Sequence, residues 1–352
     1  MKALSPVRVT RLDVARKAQV SLATVTYSLN PTGKLRISPK TQDRIRRIAS
    51  QLGYRPNFVH RALSAGRTYS VGLVIPDSKA LLFPLYEMII DGCVGAMNDD
   101  KYDPVLLLRS RWERVADVVK DGRVDGLIIL QSDFEDRYIR EAAAMGVPVV
   151  VLNRDLPANL PGHLAACVYP DYHRMMNDVV ADFVKRGCRN VLNFSPSTRI
   201  FANQACFEGF KDALVRHANS RVMGSSMEPR WVDFKLQAEG LFEKGCFWDG
   251  IFVTGSSSAD ALVEFAGRAG LHPGSDFQLI TTDAFPESES YASVPPKKRH
   301  EQVVYWQPAR GVGQEGWRVF SRMMAGESVE PVTRVPYVRE RIEKVAGVHG
   351  NG

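Results

Sequence analysis

Cysteine is scarce in this sequence, and no two cysteines have the spacing of a metal site. The five residues include no Cys-x-x-Cys pair, so neither a disulfide framework nor a zinc finger is supported. We interpret them as buried thiols and expect neither a metal ion nor a cofactor. The five are Cys93, Cys167, Cys188, Cys206 and Cys246.

Long apolar runs are also missing. No stretch of about 18 apolar residues is present that could span a bilayer, and the first residues lack the apolar segment and cleavage site of a secretory signal. We therefore expect a protein without membrane contact that stays in the cytoplasm. With 352 residues, 45% of them hydrophobic and 24% charged, the chain can form two or three globular units.

Catalytic motifs are absent as well, and we predict that the chain is not an enzyme. It has no Gly-x-Ser-x-Gly elbow and no His-x-x-x-His pair. The segment from Gly311 to Gly316, GVGQEG, matches a dinucleotide-binding fingerprint, which needs an acidic residue at a strand end about 20 residues later. Glu327 and Glu330 lie instead in the turn-rich segment GESVEP. The alternative interpretation, an α/β enzyme of sugar metabolism, is therefore not supported, because the sequence has no set of catalytic groups for it.

Acidic residues are rare in the first part of the chain. Through Arg67 there are fourteen Lys and Arg residues against Asp13 and Asp43, whereas the remainder has thirty-two basic and thirty-seven acidic residues. This asymmetry is typical of a small polyanion-binding unit attached to a slightly acidic body. A solute-binding or sensory protein, the rival class, would have a secretory signal and no basic head.

The basic segment contains three short helical patterns. Thr10 can cap a first helix with Asp13 three residues later, and Ser21 can cap a second. Ser38, followed by proline, begins a third, which ends before a glycine. Two short helices joined by a tight turn form a helix-turn-helix unit, whose second helix enters the DNA major groove.

The segments VTRLDVARKAQVSLATVTYSLN, ISPKTQDRIRRIASQLGYRPN and FVHRALSAGRT resemble the headpiece and hinge of the LacI/GalR family of bacterial transcription regulators. The resemblance implies an all-α headpiece over residues 1–56 and a hinge helix with linker over 57–68. It also implies a two-lobe core over 69–352, with the α/β fold of periplasmic binding proteins and parallel sheets. A chromosome-binding protein of this kind is expected with the nucleoid in the bacterial cytoplasm.

The resemblance assigns roles to residues of the head. Leu22, Ala23 and Tyr27 match base-reading positions, and the two apolar side chains suit thymine methyl groups. Leu63 matches a hinge leucine that is wedged into the minor groove at the operator centre, where it bends the duplex. The residues that match phosphate-contacting or backbone-anchoring positions are Thr10, Ser21, Thr24, Asn30, Ser38, Thr41 and Asn57.

After Tyr69, short apolar runs alternate with segments of helix length. The runs SVGLVIP, PVLLL, DGLIIL and VPVVVL form one series, and NVLNF, GIFVT and FQLITT form a second. Such alternation predicts parallel sheets covered by helices on both faces. The resemblance places the first lobe at about 69–168 and 308–332 and the second at about 169–306 and 333–345. It puts the crossings near Val168 to Asp171, Trp306 to Ala309 and Pro331 to Val335.

Ligands of open α/β sheets bind beyond the carboxyl ends of the strands. The expected effector-binding residues are Asp77, Ser78, Phe83, Asn153, Arg154, Cys206, Gly255, Ser256, Asp283 and Trp306. Sugar-binding and purine-binding members of the family usually have an arginine three residues before a Gly-Phe pair, where this chain has Cys206. Their Asn-Asp pair is replaced by Gly255 and Ser256, which puts the usual sugar site in doubt.

Together these features predict a homodimeric transcription regulator, most simply a repressor. It would bind a pseudo-palindromic operator in double-stranded DNA and respond to a small-molecule effector in the inter-lobe cleft. An aromatic or anionic effector would suit Phe83, Arg154 and Trp306, while a degenerate cleft would leave control to a protein partner. No heptad run that would form a tetramer is found.

Overall fold

The computed structural model divides into two compact units, Met1–Thr68 and Tyr69–Gly352, which we call the head and the core. Helices and strands are numbered in chain order below. The residues that the structure describes are 9–29, 37–55, 66–82, 84–131, 133, 135–160, 164–195, 200–227, 233–243, 247–283 and 302–342.

The head contains three helices around one small apolar core. They are α1 (Arg11–Ala18), α2 (Leu22–Leu29) and α3 (Pro39–Gln51). The buried side chains come from all three helices and are Val14, Ala15, Ala18, Val25, Ile45 and Ala49. Leu12 on α1 lies outside this core and is 48% exposed.

The core begins with a six-stranded sheet whose neighbouring strands all run parallel. Its spatial order is β11-β5-β4-β3-β1-β2. Residues of β1, β3, β4 and β5 are buried throughout, as expected for strands that helices cover on both faces. The strands are β1 (Ser70–Ile75), β2 (Asp103–Leu108), β3 (Leu127–Leu130), β4 (Val149–Leu152), β5 (Ala165–Pro170) and β11 (Val332–Val335).

A second six-stranded sheet follows in the order β12-β10-β9-β8-β6-β7. Its pairs are parallel except that β12 runs antiparallel to β10. The strands are β6 (Asn190–Phe194), β7 (Met223–Met227), β8 (Gly250–Thr254), β9 (Gln278–Asp283), β10 (Gln302–Trp306) and β12 (Val338–Ile342). The two sheets define a first and a second lobe, and the predicted α/β fold with a helical head is confirmed.

Helices connect the strands within each lobe. Those of the first lobe are α4 (Pro84–Asp99), α5 (Trp112–Lys120), α6 (Arg137–Ala144) and α11 (Ala309–Met324). Those of the second are α7 (Tyr172–Lys185), α8 (Phe201–Arg216), α9 (Phe234–Gly240) and α10 (Ser256–Arg268). Short 3₁₀ helices cover Ser78–Leu82, Arg109–Arg111 and Ala218–Ser220.

The chain passes between the lobes three times. The first passage lies at Asp171, between β5 and α7, and the second lies at 307–308, between β10 and α11. The third lies at 336–337, later than the predicted segment from Pro331 to Val335. That segment pairs with β5 in the first sheet, and β12 begins only after Pro336 and Tyr337.

The fingerprint-like segment from Gly311 to Gly316 lies inside α11 and not in a loop between a strand and a helix. A Cβ atom at Gly313 would collide with the backbone oxygen of Ile89 on α4. The glycine therefore permits two helices to pack closely, which is a structural reason for its presence. In the described residues, no helix is long and apolar enough to cross a membrane.

Candidate DNA-reading helix and inter-lobe cleft

Helix α2 is positioned by a short turn and a polar cap. The Ser21 hydroxyl accepts a hydrogen bond from the Thr24 N–H at 3.1 Å and shares a second bond with the Thr24 hydroxyl at 2.9 Å. Val25 on the same helix is completely buried in the head core. A capped first turn and an anchored inner face leave the outer face of α2 available to a partner.

The predicted base-reading residues lie on that outer face. Leu22 is 49% exposed although leucine is usually buried, and Ala23 beside it is also exposed. Tyr27 is half-buried one turn further along. These three side chains give α2 an uncharged outer face.

The predicted phosphate-contacting hydroxyls cluster at helix N-termini. Thr10 caps α1 by a capping box with Asp13, and the hydrogen bonds from Thr10 lower the pKa of that carboxyl group. Ser38 caps α3 and bonds to both the N–H and the hydroxyl of Thr41. The start of a helix presents free N–H groups and a partial positive charge, which suit phosphate oxygens.

A further contact fixes the first helix of the head. The Arg11 guanidinium donates a hydrogen bond to the Tyr54 hydroxyl at 3.1 Å, which ties the start of α1 to the segment after α3. Asn30, Asn57 and Leu63 lie outside the described residues, so their predicted roles stay predictions.

In the first lobe, some of the predicted effector residues are exposed and others are buried. Asp77 and Ser78 are exposed, and the Asp77 carboxylate accepts N–H bonds from the next turn, including one from Lys79 at 2.8 Å. Asn153 is 2% exposed, has a left-handed backbone with φ of 68°, and accepts a hydrogen bond from the Tyr172 hydroxyl at 3.1 Å. Phe83 lies outside the described residues.

Arg154 is buried, and its donors are directed to the chain itself. Its guanidinium bonds to the Asp136 carboxylate at 2.7 Å, to the Asp133 carbonyl at 2.7 Å and to the Asp155 carbonyl at 2.9 Å. These contacts neutralise its charge and occupy the fork that would bind an anionic ligand.

Beside Arg154 lies a polar network that sequence reasoning missed. Arg109 forms a two-bond ion pair with Asp133, with distances of 3.0 and 2.6 Å, and the Gln131 amide donates to the same carboxylate at 3.0 Å. Partial burial raises the pKa of Asp133, but hydrogen bonds from Arg109 and from the Glu135 N–H outweigh it, so the pKa is lowered. The available signal was that Arg109, Gln131 and Asp133 follow the carboxyl ends of β2 and β3.

The two lobes meet at this network. Asp133 of the first lobe forms an isolated antiparallel β-bridge with Ile200, which immediately precedes α8 of the second lobe. Next to it the Phe201 ring packs edge-on against Tyr169 at 4.9 Å and Tyr172 at 5.9 Å between ring centres. The end of β5 in the first lobe and the starts of α7 and α8 in the second lobe therefore meet around an aromatic cluster.

The predicted residues of the second lobe lie on α8 and at the carboxyl ends of its strands. Cys206 is 2% exposed, and burial raises the pKa of its thiol to about 12, so it is not a reactive nucleophile. Gly255, with φ of 84°, is the N-cap residue that immediately precedes α10. The backbones of Asp283 and Trp306 are paired at the ends of β9 and β10. The side chains of Ser256 and Asp283 lie outside the described part of the structure.

Comparison with known proteins gives a consistent result. Residues 10–57 match the model of the lacI family of bacterial regulatory proteins. The HTH-type transcriptional regulator MalR of Streptococcus pneumoniae is 26% identical over 272 residues, which are 74% of this chain and 80% of that protein. Catabolite control protein A of Staphylococcus xylosus is 26% identical over 94% of this chain and 97% of that protein.

Solved structures support the fold. A lac repressor dimer bound to operator and the anti-inducer ONPF aligns with a TM-score of 0.72 and 21% identity, and the alignment covers 95% of this chain and 98% of that one. A complex of the transcriptional regulator CelR with cellobiose aligns with a TM-score of 0.60 and 21% identity, over 97% and 100% of the two chains.

Proposed function

We propose that this chain is a dimeric repressor of the lacI family, controlled by a small molecule between its lobes; residues 10–57 match that family of bacterial regulatory proteins, and two transcription regulators are 26% identical to the chain. The observation that carries this proposal is the head, a helix-turn-helix whose α2 exposes Leu22 and Ala23 beside helix starts suited to phosphate. The excess positive charge of the chain lies in the same head.

Two heads of a dimer would occupy the two half-sites of a pseudo-palindromic operator. Asn57 and Leu63 would support the hinge at the operator centre, where an inserted leucine bends DNA at the expense of base stacking. We assign this activity to the bacterial cytoplasm, where the protein would associate with nucleoid DNA.

For the effector, a neutral ring compound such as a sugar derivative suits the first lobe best. Arg109 and Arg154 are already paired with carboxylates of the chain, which removes the strongest attraction for an anion.

Asn153, Trp306 and Asp283 would supply the polar and aromatic contacts, with Asp77, Ser78 and Gly255 at the rim. Binding would require the bridge between Asp133 and Ile200 to open, and it would thereby change the angle between the lobes.

A second candidate is control by a protein partner. The buried thiol of Cys206 and the rings of Tyr169, Tyr172 and Phe201 fill part of the surface between the lobes. A cleft packed in this way would leave little space for a ligand, so regulation would act at another surface.

DNA binding is tested with full-length protein and a random duplex library. We expect repeated selection to enrich one pseudo-palindromic sequence, bound more tightly than random DNA and with a steep salt dependence. Failure to enrich any sequence would contradict the repressor proposal.

The two modes of control are separated by titrating the operator complex with sugars, sugar phosphates, purines and aromatic acids. Release by one class supports the cleft, whereas no response to any of them favours a protein partner.

A further inference from the structure

We infer that α2 reads its operator through the methyl groups of thymine and not through paired hydrogen bonds to guanine or adenine. This inference rests on the proposed function, because it specifies the bases that the repressor would recognise. Leu22 and Ala23 would carry the discrimination, and Tyr27 would add one polar contact.

The first argument is the composition of the helix. Helix α2 has the sequence LATVTYSL, which contains no charged residue and no Asn, Gln or His. The side chains that make paired hydrogen bonds in the major groove are Arg or Lys with guanine and Asn or Gln with adenine. Helix α2 has none of them, so its exposed side chains offer mainly apolar contact.

The second argument is that most of the hydroxyl groups of this region are already used. The Ser21 and Thr24 hydroxyls bond to one another, and the Thr26 hydroxyl donates to the Leu22 carbonyl at 2.9 Å. Ser28 is 1% exposed and faces the head core. The Thr26 and Ser28 hydroxyls are therefore poorly placed to read base edges, while Ser21 and Thr24 lie at the start of α2, and a helix N-terminus suits phosphate oxygens.

Tyr27 is the exception. No hydrogen bond of its hydroxyl is found within the described residues, and its side chain is half-buried on the outer part of α2. A phenol has one donor hydrogen and can bond to one base atom, so it does not form the paired contact that distinguishes guanine most strongly. Tyr27 can therefore add to the sequence preference of α2 through one hydrogen bond, but it cannot make the paired contact with guanine that an arginine makes.

The third argument is where the positive charge lies. The basic residues of the three helices are all on α1 and α3, namely Arg11, Arg16, Lys17, Lys40, Arg44, Arg46 and Arg47. Contacts from these residues to phosphate would supply affinity that depends on salt but not on sequence. Sequence preference is then left to the uncharged surface of α2.

The experiment compares thymine with uracil, which differ only by the methyl group that faces the major groove. The operator enriched by full-length protein is resynthesised with uracil in place of single thymines, and the dissociation constant is measured at fixed salt. Removal of a methyl group that Leu22 contacts should raise the dissociation constant about fourfold. The slope of affinity against salt concentration should stay unchanged, because no phosphate contact is lost.

Two variants assign the effect to the helix. In Leu22→Ala the difference between thymine and uracil should shrink at one position of each half-site. Leu236→Ala removes a leucine of α9 that is 72% exposed, and it should keep the full difference.

The opposite results are equally clear. An enriched operator that binds equally well with uracil throughout, but loses affinity when guanine is replaced by 7-deazaguanine, would overturn the inference and leave the repressor proposal intact. Failure to enrich any operator would contradict the repressor proposal itself, and the inference would fall with it.

Discussion

Asp133 joins two parts of the core at once, since its carboxylate pairs with Arg109 within the first lobe while its backbone bridges to Ile200 of the second. The Arg109 side chain is 12% exposed and that of Asp133 is 39% exposed. The ion pair thus fixes the loop that reaches across to the second lobe.

Replacing Asp133 with Asn should lower the free energy of unfolding by roughly 1–2 kcal/mol, because Arg109 would keep its burial and lose its counter-charge. The value is below that of a fully buried pair because water reaches Asp133. Urea denaturation at pH 7 would measure it. Glu264→Gln, in the exposed pair with Arg268, is the control and should change stability by less than about 0.5 kcal/mol.

The Asp133 pair should also depend on pH. Its folded-state pKa is lowered by Arg109 and by hydrogen bonds, so the stabilisation is present above the unfolded value of about 3.9 and is lost as the pH falls through the folded value. The difference between wild type and Asp133→Asn should therefore be constant from about pH 5 to 8 and shrink below about pH 4. A difference that grew at low pH would have the wrong sign for this pair.

The helix starts of the head were predictable and the lobe contacts were not, for a physical reason. Thr10, Ser21 and Ser38 cap their helices through residues three positions away, so a short stretch of sequence contains both partners. Arg109 and Asp133 are 24 positions apart, and Arg339 and Asp182 are 157 apart. Pairs of this kind depend on how the sheets bring strand ends together.

The third passage between the lobes shows the same limit. The segment PVTRVPYVRE has one short run on each side of Pro336 that contains β-branched or aromatic residues, and both runs are typical of strands. Proline interrupts backbone pairing, but the sequence does not indicate which sheet each run joins. In the structure Val332–Val335 extends the first sheet and Val338–Ile342 extends the second.

The Asp182 side chain joins three elements of the second lobe, α7, β10 and β12. Its buried carboxylate on α7 accepts two bonds from Arg339 of β12, at 2.5 and 3.0 Å, and one from the Tyr305 hydroxyl of β10 at 2.9 Å. Asp182→Ala should reduce the free energy of unfolding by about 2–4 kcal/mol, since it removes the shared acceptor from both partners.

The matched variant Tyr305→Phe removes only one neutral donor and should lower the free energy of unfolding by about 1 kcal/mol. Chemical denaturation of both variants provides the comparison. If Tyr305→Phe proved as damaging as Asp182→Ala, the ion pair with Arg339 would not be the main contribution.

Replacement by alanine should affect the stability of the head differently at two of its serines. The Ser28 hydroxyl is buried without a hydrogen-bond partner in the described residues, so Ser28→Ala should leave the head equally stable or more stable by about 1 kcal/mol. Ser21→Ala removes the cap of α2 and should destabilise the head by about 1 kcal/mol. Thermal unfolding followed by helical circular dichroism would measure both, and a Ser28→Ala variant that unfolds earlier would reveal a bond that Ser28 makes.

Close packing of α4 against α11 gives the last prediction. A methyl group at Gly313 would collide with the Ile89 carbonyl and with the Cys93 backbone nitrogen, both of which belong to the facing helix and cannot move independently. Gly313→Ala should therefore force the helices apart and destabilise the core by about 3 kcal/mol or more, in the range expected for severe overpacking.

Gly311 on the same helix provides a control. The nearest atom to an added methyl there is a side-chain carbon of Val335 at 3.4 Å, an ordinary contact distance. Gly311→Ala should be neutral or stabilising by up to about 1 kcal/mol, because alanine favours the helix more than glycine does. Since the two substitutions are chemically identical, a difference between them in denaturation measures the close approach alone. Equal stability of the two variants would mean that the backbone of α4 does not approach Gly313 of α11 closely enough to exclude a methyl group.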